Sequence, residues 1–74
     1  MTEVEIVKDR LGNYSANVSK NGVPQNGLNL PDGVKYPELK KAIKEKIGIE
    51  LPGVRELSFE PYWSKQYARV KFSD

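Results

Sequence analysis

Two stretches near the C-terminal end, residues 54–60 and 65–72, alternate polar and apolar side chains with the period of two that a half-buried strand requires. If residues 61–64 (Pro-Tyr-Trp-Ser) form a four-residue hairpin loop, Glu60 faces Lys65, Ser58 faces Tyr67 and Glu56 faces Arg69 on one surface. Leu57, Phe59, Ala68, Val70 and Phe72 then share the other. The pairing is selected twice, by apolar alternation and by opposite charges, each cross-strand pair contributing about 0.2 to 1 kcal/mol. It also implies that the basic residues of the last strand are neutralised by neighbours.

A second alternating pair lies at the other end. Val4 and Ile6 alternate with Glu3 and Glu5, and Tyr14, Ala16 and Val18 alternate with Ser15, Asn17 and Ser19. Arg10-Leu11-Gly12 suits a three-residue hairpin loop with Gly12 in the left-handed position. That register sets Val4 against Val18 and Ile6 against Ala16 on one face. Glu3, Glu5, Asn13, Ser15 and Asn17 line the opposite, polar face.

Between the hairpins, Asn21-Gly22 marks a turn. The stretch that follows carries Pro24, Gly27, Pro31 and Gly33, so residues 20–35 read mostly as loop, with room for a short edge strand at 28–30. A connection this long in a small domain tends to be a binding element or mobile. Pro37 suits the first position of a helix and Glu38 complements its dipole. Leu39, Ala42, Ile43 and Ile47 form an apolar stripe at helical spacing, and Gly48 is a left-handed stop, which predicts a helix over 37–47. The expected fold is one α+β domain spanning residues 1–74: hairpin, helix, hairpin.

That order resembles the β-grasp architecture of ubiquitin-like and bacterial immunoglobulin-binding domains. The likeness is carried by residues 36–49, where Tyr36-Pro37-Glu38-Leu39 opens a lysine-rich amphipathic helix that ends in Gly48-Ile49 ahead of Pro52 and a strand. It implies a four-stranded mixed sheet with Val4 and Ile6 lying parallel beside Val70 and Phe72, and the helix across one face. Ubiquitin-like modifiers end in Gly-Gly, whereas this sequence closes with Phe72-Ser73-Asp74, so the resemblance does not extend to conjugation or sulfur transfer. Fold alone does not assign function.

Composition narrows the chemistry. There is no cysteine, so the 74-residue domain is held by packing without disulfides or thiolate metal sites. There is no histidine, which removes the commonest general base and transition-metal ligand. The acidic pairs Glu3/Glu5 and Glu56/Glu60 lack the ligand number a calcium or magnesium site needs. Neither an enzyme nor a bound cofactor is expected. No apolar run reaches the roughly 20 residues of a membrane span, and the acidic start is unlike a signal peptide, so a cytoplasmic protein without membrane contact is the expectation.

Two candidate surfaces remain. Tyr62 and Trp63, with Tyr67 nearby, form an aromatic hairpin tip suited to anchoring another protein. Trp63 either serves that role or folds back over one end of the sheet and helix, where it would bury roughly 150 to 250 Å². The alternative is a basic surface of Lys35, Lys40, Lys41, Lys44, Arg69 and Lys71, joined by Arg55 and Lys65, that binds nucleic acid weakly and with little sequence preference, Tyr67 stacking on an unpaired base. The net charge of +2 permits this without arguing for it. The leading expectation is a small, non-enzymatic protein-interaction module, monomeric or paired into a homodimer through a strand edge.

Overall fold

The computed structural model describes residues 1–73. Strand β1 (Thr2–Lys8) pairs with β2 (Tyr14–Lys20) in the register expected from alternation, Val4 opposite Val18 and Ile6 opposite Ala16. The loop closes with the Asp9 amide donating to the Asn13 carbonyl at 2.9 Å. Gly12 has φ 79°, a left-handed conformation glycine adopts without a Cβ penalty. The Asp9 carboxylate oxygen Oδ1 accepts the amides of Leu11 and Asn13, each at 2.9 Å, so the turn is locked by its own first residue.

Asn21 and Gly22 both have positive φ, the geometry of a two-residue Asn-Gly hairpin turn, and return the chain into β3 (Val23–Pro24). The expected edge strand at 28–30 is absent. Its place is taken by a 3₁₀ turn at Asn26–Leu28, and Val34 then makes an isolated antiparallel bridge to Tyr14. Leu28 and Leu30 are half-buried and pack against the core, which tethers the loop.

Helix α1 (Tyr36–Ile47) has proline in its first turn and ends where the Gly48 amide, at φ 70°, donates to the Lys44 carbonyl. Leu39 and Ile43 are fully buried against Val4, Ile6, Val18 and Leu51. Tyr14 meets Tyr36 edge-on at 5.3 Å, and the Tyr36 hydroxyl donates to the Pro52 carbonyl, fastening the chain that leaves the helix to the helix start.

After a 3₁₀ turn at Val54–Glu56 come β4 (Glu60–Tyr62) and β5 (Lys65–Phe72). The sheet order is β3-β2-β1-β5-β4 and every pairing is antiparallel. The fold is thus α+β, one helix on one face of an open sheet, but the sheet has five strands where four were expected and is not mixed. Val4 and Ile6 do lie beside β5, antiparallel, opposite Val70 and Ala68. This direction puts Glu5 opposite Arg69 and Glu3 opposite Lys71 on the uncovered face.

The last hairpin differs from expectation in two ways: the strand expected over 54–60 is replaced by the 3₁₀ turn and an irregular stretch, with only Glu60 of it in β4, and the pairing is slid by two residues. Tyr62 pairs with Lys65 and Glu60 with Tyr67 around a two-residue Trp63-Ser64 turn. A slide of two preserves which side chains share a face, so Leu57, Phe59, Ala68 and Val70 still point to the core. Glu56 does not reach Arg69; its carboxylate accepts the Gly53 amide at 2.9 Å, and Arg69 is met instead by Glu5 at 3.4 Å.

Candidate functional site: the aromatic tip and the uncovered sheet face

The helix covers only the face carrying Val4, Ile6, Val18 and Ala68, because α1 buries Leu39 and Ile43 there. The opposite face carries the alternate residues of each strand: Glu3, Glu5 and Val7 from β1, Asn17 from β2, Tyr67, Arg69 and Lys71 from β5, and Glu60 and Tyr62 from β4. No described element packs over it.

At one corner of this face the turn lifts Trp63 into solvent, 89% exposed. It does not fold back over the sheet and helix. Tyr62, 64% exposed, meets Trp63 edge-on with ring centroids 6.2 Å apart, and meets Tyr67 at 6.1 Å with the rings inclined by 71°. Edge-to-face contacts of this kind hold aromatic rings in defined orientations. Trp63 has φ 58°, unusual for a bulky residue and costing about 1 to 2 kcal/mol relative to ordinary backbone. The tight turn forces this: with Tyr62 and Lys65 paired, only two residues reverse the chain, and such turns need positive φ.

Below the tip runs a groove lined by Glu5, Ser58, Glu60, Tyr62, Tyr67 and Arg69. Glu5 and Glu60 escaped the sequence reading as members of this site. Glu5 was visible as an outward residue of the first strand, but its place beside Arg69 depends on the direction of the β1–β5 pairing. The Arg69 guanidinium reaches Glu5 through one nitrogen, and the Arg69 side chain stays 67% exposed. Such a pair orients the arginine more than it stabilises the fold.

The basic residues singled out in the sequence do not come together. Lys40, Lys41 and Lys44 lie on the helix, on the far side of the sheet from Arg69 and Lys71, and Lys35 sits at the helix start. Lys44 is 3.4 Å from the Glu50 carboxylate. Lys65, Arg69 and Lys71 share the uncovered face with Glu3, Glu5 and Glu60, so it is mixed in charge. Among the described residues no cluster of three or more histidine, cysteine or acidic side chains is arranged to hold a metal ion, and no helix is long and apolar enough to cross a membrane. No family model, no curated protein and no solved structure matches this chain.

Proposed function

We propose that this chain is a small non-enzymatic interaction module that docks a partner protein through Trp63, Tyr62 and Tyr67 on the uncovered face of its sheet. The observation that carries the reading is Trp63 itself. It combines an unfavourable backbone conformation with almost complete exposure of the largest apolar side chain in the molecule, and neither serves the core. The two-residue turn accounts for the positive φ but not for a tryptophan there, since glycine meets the same geometry without the penalty; a bulky ring kept at a strained, exposed position is a pointer to function. Exposed, pre-oriented aromatic rings are what dominates the energy of protein interfaces, since they bury much area and lose little rotamer freedom.

The nucleic-acid reading is the weaker one, because the bases it needs are split between two sides of the sheet and those beside Tyr67 are interleaved with carboxylates. Affinity capture from native extract distinguishes the two, using wild type, Trp63→Ala and a variant with Lys40, Lys41 and Lys44 all changed to glutamine. A defined protein retained by wild type and the lysine variant but lost with Trp63→Ala is the expected result. Nuclease-sensitive material lost only with the lysine variant would overturn it.

A further inference from the structure

An open sheet exposes rows of backbone N–H and C=O groups at its edges, and proteins blunt such edges with short strands and proline. Both outer strands here follow that rule. β3 has two residues and β4 has three, and each carries a proline, Pro24 and Pro61. Glu60 and Tyr62 direct their backbone groups to β5, so Pro61 stands where β4 would otherwise present an N–H outward.

One stretch of edge escapes this protection. β5 runs for eight residues, but its ladder with β4 ends at the Glu60–Tyr67 pair. Leu57 and Phe59 turn into the core, and the preceding residues coil away as a 3₁₀ turn. The alternation that turns Tyr67 toward β4 turns Arg69 and Lys71 the same way, and among the described residues their backbone groups find no partner on that side. The side chains on this stretch also alternate: Arg69 and Lys71 on the uncovered face, half-buried Val70 and Phe72 on the helix face.

We infer that the open edge of β5 at residues 69–72 accepts an extended acidic segment of a partner protein, added as a further strand with carboxylates opposite Arg69 and Lys71 and apolar residues beside Val70. Glu5 and Glu3 stand opposite Arg69 and Lys71 on the β1 side only, and the Arg69 side chain stays 67% exposed, so charge complementarity on the open side selects this occupant over a second copy of the chain. An antiparallel self-pairing centred on Val70 sets Arg69 against the second copy's Lys71 twice. Sliding it by two residues sets Lys71 against Lys71 or Arg69 against Arg69, and a slide of one would put Val70 and Phe72 on the solvent face. Each of these three registers opposes like charges, which is unfavourable directly across a ladder. The edge stands apart from the aromatic tip, so the two proposals fail or hold separately.

The test uses amide hydrogen exchange by NMR on the whole protein, with a capped peptide of alternating glutamate and valine as probe. In the free protein the Arg69 and Lys71 amides should exchange fast while those of Ala68 and Val70, directed to β1, are protected. Saturating peptide should slow Arg69 and Lys71 by about tenfold or more, by ordering the edge into a ladder. A lysine-valine peptide should give no protection. Arg69→Glu with Lys71→Glu should lose the effect, and Trp63→Ala should keep it. Equal protection by both peptides, absence of protection by the glutamate peptide, or protection in the free protein accompanied by dimerisation would each overturn the inference.

Discussion

Trp63 offers a perturbation in which backbone and side chain can be separated. Replacing it with alanine removes the ring but keeps a Cβ in the left-handed conformation at φ 58°. Replacing it with glycine removes the ring and the Cβ together. Both variants lose the same edge contact to Tyr62, so their difference isolates the backbone. Relief of the left-handed penalty is worth about 1 to 2 kcal/mol. Against this, glycine gives the unfolded chain more freedom, which costs about 0.4 to 1 kcal/mol. The balance favours Trp63→Gly over Trp63→Ala by about 1 kcal/mol. In a domain of this size that corresponds to a rise of roughly 4 to 8 °C in melting temperature. The assay is thermal unfolding followed by circular dichroism, with urea titration as a second measure. If the alanine variant is as stable as the glycine variant, or more so, residue 63 is not held in a left-handed turn, and the backbone argument for the docking proposal fails.

Other perturbations probe the core, the Tyr36 latch and the register. Ile43→Ala removes a fully buried side chain and should cost about 2 to 5 kcal/mol, a large part of the roughly 4 to 11 kcal/mol expected for the whole domain; a urea midpoint shifted by less than about a sixth of the wild-type value would contradict that core. Tyr36→Phe deletes the hydroxyl bonded to the Pro52 carbonyl and should cost about 1 kcal/mol at neutral pH. Burial, with Tyr14 and Glu56 adding to it, raises the pKa of the folded Tyr36 hydroxyl above its ordinary 10.0. Its stabilisation is therefore complete below about pH 10, where the unfolded tyrosine is still protonated, and is lost as pH rises through the higher folded value. Urea titrations of wild type and Tyr36→Phe should show a gap that narrows above pH 10; a constant gap would refute the assignment. A double-mutant cycle of Glu5→Gln with Arg69→Gln should give about 0.2 to 1 kcal/mol of coupling that fades in salt, whereas Glu56→Gln with Arg69→Gln should give none.

The first hairpin and the helix were legible in the sequence because each is determined locally. Gly12 fits one loop length, and alternation across that loop leaves one register for Val4 and Val18. Pro37, the Leu39-Ile43 stripe and Gly48 bracket the helix to within one residue of its observed start. The second hairpin was legible in its faces and not in its pairing. A slide of two exchanges no core residue for a surface one, so apolar alternation is silent about it, and the acids able to meet Arg69 included Glu5 from the far end of the chain as well as Glu56. The direction of β5 against β1 is hidden for the same reason: alternation names the buried side of each strand and not which way its neighbour runs. The two orientations open to Trp63 depended on that same two-residue slide, since a four-residue loop leaves room for the ring to fold back and a two-residue turn at positive φ projects it outward.

Trp63 is the only tryptophan in the chain, so its fluorescence reports on one position without ambiguity. Acrylamide quenching of the folded, free protein should proceed as readily as that of free tryptophan in water, with emission at the fully hydrated position, because the ring is 89% exposed. A blue-shifted emission shielded from quencher, in a protein still folded by circular dichroism, would place the ring in the core and contradict the presentation of Trp63 as a docking anchor.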